Sequence, residues 1–456
     1  MHIHILGICG TFMGSLALIA KQQGHRISGC DANVYPPMST QLERNGVTLV
    51  EGFNIKQLDP SPDLVIIGNA MTRGNPCVEY VLNSKIPYVS GPEWLGENIL
   101  RRKYVLSVSG THGKTTTSSM LTKILDDAGL NPGFLIGGIA QDFDTSARLS
   151  DGDYFVIEAD EYDSAFFDKR SKFIHYFSDT LIINNLEFDH ADIFDDISAI
   201  QKQFHHLVRT IPSDGNIILP KGCEAIDAFM DLGCWSKTHM FGPELDNLWC
   251  YQLLESDGSK FKIRYSGSKR AEEDIVDWAH SGLHNVNNAV SATVAAHLVG
   301  VSLHQACAAL STFKGVKRRM EVIYSDTDIV IYDDFAHHPT AIKTTLDGLR
   351  AKVGGEFIIA IIEPRSATMK MGIHGQDLAT SVASADEVIW YQSSSINWDM
   401  TALTENVSLS SRVIKNLEEL IEATRSLVRA KTHVVIMSNG GFEGFHLKLV
   451  QSFQGN

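Results

Sequence analysis

The sequence predicts an α/β protein of three domains, and three observations lead there. Short, β-branched apolar runs alternate with helix-length segments from one end to the other, the rhythm of parallel strands joined by crossover helices. A length of 456 residues exceeds what one core supports, at roughly 150 residues per domain. Composition shifts at the polar, basic stretch Glu97–Lys103 and again at the charged stretch Lys314–Glu321. Those shifts divide the chain into residues 1–99, 100–316 and 317–456.

Taken in order, the strand candidates of the first two domains are Ile3–Leu6, Arg26–Cys30, Leu64–Ile67, Tyr104–Val108, Tyr154–Ile157, Leu181–Ile183 and Asn216–Leu219. Those of the last domain are Ile329–Tyr332, Phe357–Ile362, Glu387–Tyr391 and His433–Met437. Most are continuously apolar, as strands covered on both faces of a parallel sheet must be. Helical periodicity fills Thr115–Asp127, Asn285–Leu298 and Pro339–Leu349. Ligands of such sheets collect outside the carboxyl ends of the strands, so the loops there carry the chemistry.

Composition narrows the partners. Apolar residues at 44% and charged ones at 20% describe an ordinary globular chain. With 39 basic and 54 acidic residues the net charge is −15, which excludes a general nucleic-acid binder, since phosphate neutralisation needs a basic face. Small anionic ligands need only a few placed cations and remain open. The 7 cysteines are scattered without a CxxC pair and read as reduced thiols of a cytoplasmic protein. No apolar run approaches the ~18 residues of a membrane span. Met1–Leu6 runs into glycines without the basic start of a signal peptide, so a membrane is not an expected partner.

The first loop, Gly7 to Gly14, follows a strand and precedes a helix, with Gly7, Gly10, Thr11 and Gly14 placed to let backbone N–H groups approach a phosphate. Asp31 ends the next strand, where it can meet a hydroxyl. The spacing departs from GxGxxG, so a nucleotide or nucleotide-sugar is favoured over NAD, with a packing turn as the alternative. The second loop is more specific. Gly110-Thr111-His112-Gly113-Lys114-Thr115-Thr116 joins a strand to a helix, a phosphate cradle in which Lys114 meets β/γ-phosphate charge and the Thr115 hydroxyl meets Mg²⁺. The first glycine of the usual pattern is replaced by Val108.

Glu158 follows a buried strand in Glu158-Ala159-Asp160-Glu161, and Asn184-Asn185-Leu186-Glu187-Phe188-Asp189-His190 follows another. Two adjacent strands ending in carboxylates and an imidazole beside a phosphate loop can build a divalent-metal site. Farther on, His284, Asn285 and Asn288 open an alanine-rich helix where side-chain amides can read an adenine edge or a phosphate, or simply cap the helix. Asp333-Asp334-Phe335-Ala336-His337-His338-Pro339 ends the first strand of the last domain.

Together these residues resemble the Mur ligase family, ATP-dependent amide-forming enzymes of peptidoglycan precursor synthesis. The segments GICGTFMG, GTHGKTTT, EADE, NNLEFDH, HNVNN, KRRME and DDFAHHPTAI occur in the family's order along the whole chain. The resemblance implies a Rossmann-like UDP-sugar domain, a central P-loop ATPase domain and a C-terminal Rossmann-like domain that closes on the second substrate. It implies ATP and Mg²⁺ as cofactors, with Thr115, Glu158 and His190 on the metal. Lys114, Glu158, His190, Arg319 and Asp334 are the implied catalytic set. Gly110 to Thr116, His284, Asn285, Asn288, Arg319, Asp334 and His337 are implied to hold the nucleotide. Substrate binding falls to Gly7, Gly10, Thr11, Gly14, Asp31 and Asn185, with Arg365 and Lys370 facing a peptide.

One segment separates branches of the family. Glu363-Pro364-Arg365 through Gly372 stands where the L-alanine-adding relatives carry a Pro-His-Arg-type sequence. With Ser438-Asn439-Gly440-Gly441-Phe442, it is similar to the murein-recycling branch, which joins UDP-N-acetylmuramate to the tripeptide L-alanyl-γ-D-glutamyl-meso-diaminopimelate. L-Alanine addition is the alternative within the family. A nucleotide-sugar sensor leaves the filled catalytic positions without a task, and a dehydrogenase leaves the Gly-Lys-Thr loop without one. Several relatives carry a carbamylated lysine after the metal histidine. Counting from His190 reaches Phe204 or His205, with Lys202 off register, so the modification is not assigned here.

Overall fold

The apolar runs of the N-terminal part form parallel strands β1 (His2–Leu6), β2 (Arg26–Asp31), β3 (Thr48–Glu51), β4 (Leu64–Ile67) and β5 (Tyr88–Ser90), in spatial order β3-β2-β1-β4-β5. The order reverses between β1 and β4, which opens a crevice at their carboxyl ends. The computed structural model describes all residues except 35–37, 190, 192, 245, 268–270, 366–368, 370–374, 395, 397, 406–408 and 455–456. His190 and Lys370 therefore lie outside the described residues.

The central sheet holds β6 (Tyr104–Ser109), β7 (Gly133–Ala140), β8 (Thr145–Arg148), β9 (Tyr154–Glu158), β12 (Thr180–Ile183), β13 (Asn216–Pro220), β14 (Lys237–Gly242), β15 (Trp249–Leu253), β16 (Lys260–Tyr265) and β17 (Glu272–Asp277). A small antiparallel hairpin, β10 (Asp163–Ala165) and β11 (Asp168–Ser171), stands apart from it. The order is β17-β16-β15-β14-β13-β12-β6-β9-β7-β8. The expected all-parallel sheet holds only for its middle. β8 pairs antiparallel with β7, as β16 does with β15 and β17. Those outer strands carry polar residues on one face, and the continuously apolar pattern missed them.

The last sheet, β18 (Glu321–Ser325), β19 (Ile329–Asp334), β20 (Phe357–Ile362), β21 (Glu387–Tyr391), β22 (Ser410–Ile414) and β23 (Thr432–Met437), runs β18-β19-β23-β20-β21-β22. It is parallel apart from β18. Apolar side chains cover both of its faces, with Leu346, Ile358 and Trp390 in one cluster and Ile359, Ile436 and Phe445 in another. Among the described residues, no helix is long and apolar enough to cross a membrane.

Both composition shifts are packed in rather than exposed. Ile99 and Leu100 are buried, and Arg101 pairs with Glu97 and lies 4.0 Å over the Phe177 ring. In the second stretch, Val316 is buried and bridges to Ala140, while the Lys317 amide donates to the Ile139 carbonyl at 3.0 Å. Arg101, Arg102, Lys314 and Lys317 are exposed while the apolar residues beside them join the cores.

Candidate active site

The phosphate loop follows β6, the strand flanked by β12 on one side and β9 on the other. The two acid-bearing strands are thus not neighbours of each other, as their sequence suggested, but brace the loop from both sides. Gly113 has φ +80° and immediately precedes the Lys114–Asp127 helix. A Cβ there would also stand 2.5 Å from Asn288 Oδ1, so conformation and space both require glycine. The Asn185 amide clamps the loop, its Oδ1 accepting from the His112 N–H at 2.8 Å and its Nδ2 donating to the His112 carbonyl at 3.1 Å. Asn185, expected among the substrate-binding residues, braces the phosphate loop and also lines the cavity above it.

Lys114 Nζ donates to the Gly110 carbonyl at 2.7 Å and to Glu161 Oε2 at 3.2 Å, with Asp160 Oδ1 at 4.0 Å. Burial alone would lower its pKa, but Glu161, Asp160 and Glu158 outweigh it and raise it, so the ammonium stays charged. Thr115 Oγ1 donates to Glu158 Oε2 at 2.9 Å, and the Gly137 N–H donates to the same oxygen at 2.8 Å. A hydroxyl beside a carboxylate at a phosphate loop is a set of hard oxygen donors and fits Mg²⁺.

A cavity of about 820 Å³ opens over this loop. The residues expected at the nucleotide, from Thr111 to Thr116 together with His284, Asn285 and Asn288, all line it. Arg319, Asp334 and His337 reach the same cavity from the C-terminal part. Gly110 is not among the lining residues and acts from behind, as the acceptor for Lys114. Arg318 and Met320 flank Arg319 with φ of +62° and +49°, strained values for residues with side chains. They let Arg319 enter the cavity while Arg318 turns to the Ser438 and Gly440 carbonyls, 2.7 Å away in each case. Asp334 accepts from the Met320 and Ala336 N–H groups at 2.8 Å each. Burial raises its pKa, and the Arg319 charge opposes that.

His284 and His337 have pKa values lowered to about 4, chiefly by burial, with the Arg319 and His112 charges adding to it. An unfolded histidine titrates near 6.5, so between about 6.5 and about 4 the unfolded chain binds protons that the folded chain refuses. Stability from these neutral rings is complete above 6.5 and is lost as the pH falls toward 4. The expected result is a Tm that declines across this window, and less steeply in His337→Gln. Thermal melts of both proteins in a pH series check it; parallel slopes would count against the neutral ring.

A second cavity, of about 440 Å³, sits at the crevice between β1 and β4. Gly7, Gly10, Thr11 and Asp31 line it as expected, and Asp31 Oδ2 accepts from the Cys9 N–H at 2.9 Å. Gly14 does not. It sits in the following helix, where a Cβ would collide with the Met38 side chain, so it serves packing. Glu158 and Asp160 line this cavity as well as the first, so the two cavities meet at the end of β9.

Three residues of the site escaped sequence reasoning. Glu161 is 3% exposed and pairs with Lys114. Asp160 joins the two cavities, and Lys172, lining the second, reaches Asp160 at 2.9 Å. The acids lie in a segment that the sequence already marked, but Lys172 carries no local signal. Beyond β20 and β23, Arg365 is exposed and packs on Gly440, where a Cβ would overlap its guanidinium. Glu363, the acid that might have held Arg365, instead accepts from the Ser438 hydroxyl. Lys202 is exposed on the Ile197–Val208 helix.

Three family models match the chain in order: the Mur ligase family catalytic domain at residues 2–103, the Mur ligase middle domain at 108–296, and the Mur ligase glutamate ligase domain at 318–440. The chain is 50% identical over 454 residues to the UDP-N-acetylmuramate–L-alanyl-γ-D-glutamyl-meso-2,6-diaminoheptandioate ligase of Haemophilus influenzae, covering 99% of each. It is similar to the crystal structure of a murein peptide ligase from Psychrobacter arcticus, with a TM-score of 0.78 and 48% identity across 100% of this chain and 99% of that one. A UDP-N-acetylmuramate–L-alanine ligase of Syntrophomonas wolfei is 31% identical over 392 residues, which cover 85% of this chain and 81% of the relative. Fold, phosphate loop and whole-length similarity agree. The chain belongs to the Mur ligase family.

Proposed function

We propose that this chain joins UDP-N-acetylmuramate to L-alanyl-γ-D-glutamyl-meso-diaminopimelate at the expense of ATP, forming an amide bond in murein recycling. The observation that carries it is the meeting of the two cavities at Glu158 and Asp160, where a carboxylate held in one can reach a phosphate held in the other. The greater and longer identity to the tripeptide ligase favours the tripeptide over free L-alanine. The muramic carboxylate attacks the γ-phosphorus, ADP leaves, and the peptide amine displaces phosphate from the acyl phosphate. Carboxylate and phosphate repel each other, and Lys114 screens them. Mg²⁺, held by Thr115 and Glu158, supplies further neutralisation of phosphate charge. Residues 1–99 would hold the UDP-sugar, 100–316 the ATP and 317–456 the peptide. A product assay offering L-alanine and the tripeptide in competition tests this; preference for free L-alanine overturns the peptide assignment and leaves the family.

Arg365 is the proposed reader of a peptide carboxylate, because its planar fork lies exposed beyond a strand's carboxyl end. Arg365→Ala should raise the KM for tripeptide at least ~10-fold, with the constants for ATP and UDP-N-acetylmuramate nearly unchanged. Gly440→Ala should act in the same direction, because its methyl group displaces the guanidinium. Steady-state kinetics with each substrate varied in turn checks both. Unchanged tripeptide KM in both variants would assign the peptide carboxylates to other cations.

A further inference from the structure

The ligase reading gives His337 a place at the nucleotide but leaves its neighbour His338 without a task. His338 is the N-cap of the Pro339–Val353 helix, and its Nδ1 accepts from the Thr340 N–H at 3.3 Å. That long bond marks Nδ1 as the unprotonated nitrogen, and a metal bound there would take over its single lone pair and release the Thr340 N–H. The same Nδ1 stands 3.5 Å from Glu187 Oε2, and on the other side of that oxygen lies His112 Nε2 at 3.2 Å. The two rings are 4.8 Å apart, and one donor atom from each of the three residues lies within 4.8 Å of the others.

These separations have a meaning beyond hydrogen bonding. Zinc binds nitrogen and carboxylate oxygen at about 2.0–2.1 Å, so neighbouring donors of a tetrahedral site stand about 3.3–3.4 Å apart. The distances from Glu187 Oε2 to the two histidine nitrogens bracket that value. Two imidazoles and one carboxylate select a borderline transition metal, whereas the hydroxyl and carboxylate of Thr115 and Glu158 suit Mg²⁺. His112 and Glu187 belong to the central part and His338 to the C-terminal part. We infer that His112, Glu187 and His338 form a Zn²⁺-class metal site that ties the C-terminal part to the phosphate loop. Three protein ligands leave the fourth position to water or another small oxygen ligand.

This site is independent of the ligase reading and stands or falls by metal binding alone. Calorimetric titration of the full chain with Zn²⁺, without nucleotide, should give one equivalent bound. Co²⁺ in its place should give the strong visible absorption of a four-coordinate complex. His338→Gln and Glu187→Gln should each weaken Zn²⁺ binding at least ~10-fold, as loss of a direct ligand does. A large excess of Mg²⁺ should not displace the ion. Circular dichroism establishes that each variant is folded, and if one is not, the other alone decides. Absence of zinc binding in the wild type, or binding that survives substitution of these residues, overturns the proposal.

Discussion

Lys114→Ala should lower the ligation rate at least ~10²-fold, the usual consequence of losing a charge aimed at a developing phosphate. The ammonium is positioned by the Gly110 carbonyl at 2.7 Å and by Glu161 at 3.2 Å, and the surrounding carboxylates keep it charged. No nearby side chain in the loop replaces it, because His112 is turned toward Glu187. UDP-N-acetylmuramate should still bind, because its proposed cavity is lined by Gly7, Gly10 and Asp31 and not by Lys114. Removing a cation that faces buried Glu161 also costs stability, so binding of the UDP-sugar must be measured on the same preparation. Retained binding with lost ligation is the expected pair of results. A variant within threefold of the wild-type rate would remove the phosphate-loop assignment.

Glu158→Gln keeps the shape of the side chain and removes its charge, and the Mg²⁺ concentration needed for half-maximal rate should rise at least ~10-fold. Its carboxylate shares one oxygen between the Thr115 hydroxyl and the Gly137 N–H. The amide oxygen can take the same place and accept both contacts while giving up the attraction for the ion. His190→Ala tests the further ligand that the family resemblance implies, and the double variant should lose less than the sum of the two if both act on one ion. Magnesium titrations of the single and double variants check this. Additive losses with unchanged Mg²⁺ dependence would mean that the residues serve separate tasks.

The sequence by itself determined the features that depend on neighbours along the chain. Strands β4, β20 and β21 appear at the bounds that their apolar runs predicted. The phosphate loop was legible because glycine, lysine and threonine at that spacing, between a strand and a helix, have few other uses. Glu158 was legible because it ends an apolar strand. Outer strands such as β16 were not, because charged and polar residues alternate with its two buried ones and interrupt the apolar pattern.

Only the tertiary structure decided which of these segments meet. The order β12-β6-β9 sets Glu158 and Asn185 on opposite sides of one loop, and strand order is a property of packed sheets rather than of any strand. Gly14 shares a motif with Gly7 and Gly10, yet the helix carries it round to Met38 and away from the crevice. Lys172 reaches Asp160 only because the β10–β11 hairpin sets Ser171 opposite Asp163 and returns the Lys172 N–H to the Tyr162 carbonyl. His112 and His338 are separated by nearly half the chain and meet through Glu187. Local sequence sets backbone conformation and the identity of each donor, while long-range burial sets which donors share a space, and that second term is written in the whole core at once.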